Sequence, residues 1–456
     1  MNKNEILCGV SEVVITPALG GAIPGYYEER LSVDKFDDLY AKAVVFSCGD
    51  DVSGIIELDV CYFLEEHMDA VRTRIERLLG ISAEHITVAA THTHTGANID
   101  TTGHDVCHAT DAEIQAIIDR AADAAVYAYR RRQPFKIGFG RTELYGVSFN
   151  RRWWMKDGAV HTWPGINNPD NIRPAAGIDP EVAVVRIDTP DGEPIAVLTN
   201  FANHLDCAGG GYKYCADYPG ELSRQVKNAL GHDVVSIFMN GCCGDITHVD
   251  YSGEYPLIEN QHVMIGRKLA DAVLGVYGKV NCDAPDVLKA VKKTIEAKRR
   301  QFTKEQYDDA ILKIAEYEKT LSTPREKIDQ SDDEFAKPTT GDVVIQEMSY
   351  AYAAKELYEH PIMSETLKMH AIRVGDIVFS TMPGEIFHEL GLDLKKRSPF
   401  GKNFIVELAN GYHSYIATEK AYSEGGYETT FDFYMNLVPG TGERIVDTLL
   451  EAHGEL

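Results

Sequence analysis

Residues 86–96 read Ile86-Thr87-Val88-Ala89-Ala90-Thr91-His92-Thr93-His94-Thr95-Gly96. The first five are apolar or β-branched, which predicts a buried strand. The polar run after them, closed by a glycine, predicts that the chain leaves the sheet there. If the extended conformation carries on past Ala90, residues two apart share a face, and His92 and His94 point the same way. Paired imidazoles at a strand end suit a metal that takes neutral nitrogen ligands. Two histidines hydrogen-bonded within a polar loop fit the same letters.

Outward from this segment, short apolar runs alternate with helical patterns. Strands are predicted at 41–46, 54–60, 182–187, 195–201 and 234–239, and helices at 69–79 and 111–130. The alternation predicts an α/β fold, a mixed β-sheet domain with flanking helices, and all 456 residues read as one domain. Two segments break the rhythm. Residues 150–177 are polar, rich in Pro and Asn, and hold all three tryptophans, Trp153, Trp154 and Trp163. Long loops of this kind are commonly functional, and Trp is seldom left uncovered. Residues 293–365 are dominated by charged helical patterns, with Thr303 and Gln306 spaced as a capping box. They read as an inserted helical hairpin. Strands resume at 369–374 and 377–381, turning at Gly375-Asp376, and no internal repeat is visible.

Composition narrows function. The 45 Lys and Arg against 70 Asp and Glu leave a net charge of −25. Such a chain repels phosphate backbones and anionic lipid surfaces. The expected partner is a small-molecule substrate, with no nucleic acid and no stable membrane association; a homo-oligomer is left open. There is no apolar run of ~18 residues for a membrane span and no apolar core for an export signal. The nine cysteines are therefore expected to be reduced thiols in the cytoplasm. Phosphate-loop, nucleophile-elbow, zincin and dinucleotide-binding motifs are absent.

Further polar residues stand at predicted strand ends. His204 lies in Asn203-His204-Leu205-Asp206, after 195–201, and Glu385 in Met382-Pro383-Gly384-Glu385, after 377–381. Asp245 and Thr247 close Asn240-Gly241-Cys242-Cys243-Gly244-Asp245-Ile246-Thr247, whose glycines imply a tight turn or a close backbone approach. Tyr415 and Tyr427 sit in a tyrosine-rich stretch. Taken singly, these read equally as a structural His, a Glu complementing a helix dipole and half-buried tyrosines.

Together the segments resemble the catalytic domain of the neutral/alkaline (non-lysosomal) ceramidase family. The matches run in family order from Val14-Ile15-Thr16-Pro17 through Ala90 to Gly96, Asn150-Arg151, Asp179-Pro180-Glu181, Asn203-His204, Asn240 to Thr247, Pro383-Gly384-Glu385 and the tyrosine stretch. The resemblance implies one zinc held by His92, His204, Glu385 and Tyr415. It places His94, Arg151 and Tyr427 around a scissile amide. Thr247 stands where the family carries a serine, so zinc-activated water is the expected nucleophile, with the threonine hydroxyl lining the site. The likeness does not extend to the family's C-terminal immunoglobulin-like domain. The hairpin and the Trp segment look specific to this chain.

The implied activity is zinc-dependent hydrolysis of a C–N amide bond. Strong negative charge and the lack of an apolar docking segment point to a small, soluble N-acyl compound, with Trp153, Trp154 and Trp163 as substrate-binding residues. The alternatives are a zinc esterase or lactonase, or a true ceramidase acting on N-acylsphingosine.

Overall fold

Residues 5–26, 29–100, 108–321, 340–431 and 436–456 are described by a computed structural model. Three sheets in it repeat one plan. In the first, β1 (Ile6–Val14), β2 (Tyr40–Cys48) and β3 (Asp51–Leu58) form an antiparallel meander. Helix α1 (Glu65–Leu79) then crosses to β4 (His85–Ala90), which lies parallel to β3, and α2 (Asp111–Arg130) follows. The second sheet does the same with β5 (Lys136–Glu143), β6 (Glu181–Asp188), β7 (Pro194–Phe201), α3 (Tyr218–Leu230) and β8 (Val235–Asn240), followed by α4 (Gln261–Tyr277).

The third sheet starts with β9 (Leu288–Lys298). Helices α5 (Lys304–Leu321) and α6 (Thr340–Glu359) intervene before β10 (Ser364–Val374) and β11 (Ile377–Thr381). Helix α7 (His388–Arg397), β12 (Lys402–Val406) parallel to β11, and α8 (Thr441–Glu455) complete it. Each helical crossover is what a parallel neighbour requires, since a tight turn can join only antiparallel strands.

Packing follows the same triplicate plan. The inner faces of the three sheets meet in one core that includes Phe46, Ile55, Val185, Leu198, Ile237, Phe379 and Phe404. The outer faces are covered by helix pairs, α1 with α2, α3 with α4, and α7 with α8. Strands buried on both faces read as near-continuous apolar runs, which is why 41–46, 182–187 and 234–239 were legible. Each sheet also carries its insertion in the same place, between its first and second strands. These are residues 15–39, the Trp segment, and the α5–α6 hairpin.

Two sequence expectations change in detail. The hairpin helices start at Lys304 rather than 293, because Lys293–Lys298 belongs to β9, where charged and apolar residues alternate with a period of two. Thr303 and Gln306 do form the reciprocal capping box, at 3.2 and 2.9 Å. The Trp segment is not irregular: Arg152–Met155, Val160–Thr162 and Asn171–Pro174 pair into a small sheet.

Candidate metal centre

The polar residues singled out in the sequence gather where third and fourth strands of the three sheets end. Ligands of α/β proteins commonly sit beyond the carboxyl ends of strands. His92 and His94 follow β4, His204 follows β7, Glu385 follows β11, and Tyr415 lies on the loop after β12. His92 is 2% exposed, as are His204 and Glu385, so the site is cut into the interior.

The strand does not carry on through His92, as its letters suggested; His92 has φ +78°. Such a left-handed residue is uncommon outside glycine and is held by surrounding structure. The two histidines converge because of that turn, with ring planes at 81° and Nε2 atoms 3.4 Å apart. Gly384 serves the opposite wall. Its φ is +148°, and a Cβ there would lie 2.7 Å from the Ser414 carbonyl oxygen. Only glycine lets residues 384–386 approach the loop that carries Tyr415, with which Glu385 makes a short parallel pairing. Gly244 is equally confined, since its Cβ would meet the Glu385 carbonyl at 2.5 Å.

Three imidazoles present the same nitrogen to the centre. His92 Nδ1 donates to the Cys61 carbonyl (2.7 Å), His204 Nδ1 to the Cys243 carbonyl (3.1 Å) and His94 Nδ1 to the Gly25 carbonyl (3.1 Å). Such backbone partners fix the tautomer of a ligating histidine and leave the Nε2 lone pair free to bind. His92 Nε2 and His204 Nε2 are 3.1 Å apart, and Glu385 Oε2 lies 3.3 and 3.5 Å from them. A tetrahedral metal with bonds of about 2.0–2.1 Å has ligand-to-ligand edges of about 3.3 Å, which these three separations match. Glu385 Oε2 is buried with no hydrogen-bond partner among the described residues, while its Oε1 accepts from the Tyr412 hydroxyl at 3.2 Å. The donor set therefore fits a divalent cation of the zinc type.

Electrostatics point the same way. Burial alone would raise the Glu385 carboxyl, but His92, His204 and Arg151 hold it well below the usual range. Burial, then Arg151 and His92, hold His204 neutral. Burial opposes charge on His92, yet Glu385 and Cys61 draw it onto that ring. Converging lone pairs and a buried carboxylate thus demand positive charge, which a proton or a metal supplies.

Around the triangle, Arg151 donates to Glu428 Oε1 (2.7 Å) and the Gly244 carbonyl (2.8 Å), and its Nη1 stands 3.1 Å from His204 Nε2, whose lone pair a metal would take from it. Its guanidinium lies 5.0 Å from the Tyr415 ring and 5.4 Å from Trp163. The buried Tyr415 phenol lies against Glu385 and Arg151, and burial followed by Glu385 raises its pKa over the opposing pull of Arg151. Tyr427 faces both Tyr415 (5.5 Å between centroids) and Trp163 (4.8 Å). Of the three tryptophans, only Trp163 stands beside these groups, 46% exposed. Trp153 is packed with Met155 and Tyr251, and Trp154 lies under Arg173. Thr247 is buried, and its hydroxyl oxygen accepts the Val249 N–H at 3.3 Å.

Four further residues hold this site, of which sequence reading had named Asp245 and missed Glu428, Glu407 and Cys61. Buried Glu428 binds Arg151 and accepts from Thr162 (2.8 Å). Asp245 binds His388 and Asn150, and buried Glu407 ties the Cys243 and Ile386 N–H groups together at 3.1 and 2.9 Å. Cys61 packs on His92. A buried carboxylate beside site loops leaves no periodic signal, and Glu428 was passed over although it adjoins Tyr427 in the tyrosine stretch.

No family model matches the sequence, and no curated protein matches it. Among solved structures, the chain is similar to the neutral ceramidase of Pseudomonas aeruginosa, with 15% identity and a TM-score of 0.69 over 99% of this chain and 75% of that one. It is also similar to a structure titled as ceramidase complexed with C2, at 16% identity and a TM-score of 0.72, with the same coverage. At such identity the likeness establishes the fold: this chain has the fold seen in neutral ceramidases.

Proposed function

We propose that this chain is a metal-dependent hydrolase that cleaves the C–N amide bond of a small N-acyl compound. The observation that carries the reading is the His92, His204 and Glu385 triangle, whose edges are those of a tetrahedral metal. Tyr415, against Glu385, is the fourth ligand in this reading. A zinc ion bound there would polarise a carbonyl and lower the pKa of a water.

The chain's own residues supply the rest. Water adds to the amide carbonyl carbon, and its oxygen takes up negative charge. Tyr427 donates a hydrogen bond to that oxyanion, and His94 Nε2, left bare by the Nδ1 contact to Gly25, takes the proton that the water gives up. Arg151, pinned by Glu428 and Gly244, fixes the His204 side of the cleft and holds Tyr415 and Trp163 over it. Collapse breaks the C–N bond, and protonated His94 delivers a proton to the leaving nitrogen.

The substrate reading rests on the mouth. Half-exposed Trp163, packed at a tilt on Tyr427, offers an aromatic surface in a segment with Lys156, Asp157, His161 and Asn168. Stripping water from such groups against hydrocarbon costs ~1–3 kcal/mol each when they go unpaired, which favours a hydroxylated or charged ligand over two alkyl chains. No helix among the described residues is long and apolar enough to cross a membrane.

The test is hydrolysis of matched amide and ester pairs of soluble N-acyl compounds, with a long-chain ceramide in mixed micelles as competitor. Amide cleavage lost to a chelator and restored by zinc supports the reading. Cleavage of the ester alone makes the chain an esterase, and efficient cleavage of the ceramide alone returns it to a lipid substrate.

A further inference from the structure

Cys61 belongs to a second group of converging ligand atoms. It is the third residue past Leu58, the end of the third strand of its sheet, as His204 is the third past Phe201 and Glu385 the fourth past Thr381. The repeated plan thus brings a sulfur to the place where the other two sheets bring an imidazole and a carboxylate. Cys61 is 3% exposed, and its Sγ lies 3.8 Å from His92 Nδ1. One donor atom each from Cys61, His92 and His94 lies within 4.8 Å of the other two. His94 is not part of the His92, His204 and Glu385 group.

We propose that Cys61 and His94, on the flank of His92, form an auxiliary position for a thiophilic divalent cation such as zinc or cadmium. Thiolate and imidazole are the donors these ions prefer. Because His92 Nδ1–H is committed to the Cys61 carbonyl, the protein donors are Cys61 Sγ and His94, and solvent completes the shell. As the metal–sulfur bond forms, the thiol proton passes to solvent. With fewer protein donors, this position fills after the His92, His204 and Glu385 site. Its consequence for turnover rests on the function proposed above: the ion takes up His94, so excess metal inhibits.

The experiment is a cobalt titration of the metal-free full chain, followed by absorption and by bound metal per chain. In the wild type, cobalt beyond the first equivalent brings a thiolate-to-cobalt charge-transfer band in the near ultraviolet. Cys61→Ser and Cys61→Ala lose the band and the second equivalent while keeping the wild-type far-ultraviolet dichroism. No such band in the wild type at any loading, or a band that persists in both Cys61 variants, overturns the proposal. The latter result would place the sulfur elsewhere, at Cys207, which converges with Asp206 and His248, or at Cys243, whose Sγ lies 3.4 Å from His204 Nδ1. A third arm separates the two readings. His204→Ala weakens the first equivalent and keeps the thiolate band, whereas unchanged first-equivalent binding in that variant would count against the proposed metal centre alone.

Discussion

Replacing Asp245 with Asn tests how the loops of the site are held together. Asp245 is buried, and both its carboxylate oxygens accept. Oδ1 takes the His388 backbone N–H at 2.9 Å, and Oδ2 takes His388 Nδ1 and Asn150 Nδ2, each at 2.8 Å. An asparagine keeps the shape, but whichever way its amide is turned, an NH2 faces an N–H. An unsatisfied buried donor costs about 1–3 kcal/mol. The lost charge adds to this. Burial would raise the Asp245 carboxyl, yet His388 brings it down to about 2 from the usual 3.8, which is worth roughly 2 kcal/mol. Since both terms describe one contact, the expected loss is about 3–4 kcal/mol, the scale of a broken buried pair.

The pH dependence has a defined sign. A depressed carboxyl stabilises the fold above about pH 4, and the gain is lost as pH falls through 2. His388 is shifted the other way: burial opposes its charge, but Asp245 raises its pKa. Its share is full below about pH 6.5 and fades as pH rises through the raised value. The gap between wild type and variant should be widest between about pH 4 and 6.5 and roughly halved near pH 3. Equilibrium urea unfolding at pH 6 and pH 3, read by tryptophan fluorescence, measures it. A variant within about 0.5 kcal/mol of wild type at pH 6 would refute the reasoning.

Gly384→Ala should lower stability by about 2–3 kcal/mol, because it forces a Cβ onto the Ser414 carbonyl at a left-handed backbone; an unchanged melting temperature would contradict this. Thr247→Ala should keep measurable turnover, with a loss of ~10²-fold or less, and a covalent acyl adduct on Thr247 in the wild type would sink that expectation. Trp163→Ala should raise KM about three- to tenfold with a smaller change in kcat, the scale of one aromatic contact, while Trp154→Ala should leave KM alone. Equal effects from the two would mean that the mouth has been misplaced.

The site was more legible in the sequence than the architecture. His92, His204 and Glu385 each follow a short apolar run, so strand ends marked them, and the family resemblance joined them. The structure then brings the three together within hydrogen-bonding range. The repeat of three sheets left no trace in the letters, because a meander, a crossover helix and a parallel strand can be built from unrelated residues wherever burial is the same. Insertions as different as a Trp-bearing sheet and a helical hairpin, set at equivalent connections, hide it further. Residues 293–298 of β9 were misread as helix because the strand is largely exposed and so rich in charge that its apolar positions are few. Glu428, Glu407 and Cys61 were out of reach for another reason: their partners stand far away in sequence, and only the fold pairs them.

The central claim is that His92, His204 and Glu385 hold a metal. Anomalous diffraction from crystals of the zinc-soaked protein, recorded on both sides of the zinc edge, tests it most directly. An edge-specific peak is expected about 2.0–2.2 Å from His92 Nε2, His204 Nε2 and Glu385 Oε2, with the Tyr415 oxygen as the fourth protein neighbour. Those four side chains in ordered density around a centre with no zinc peak, or zinc bound only elsewhere, would contradict it.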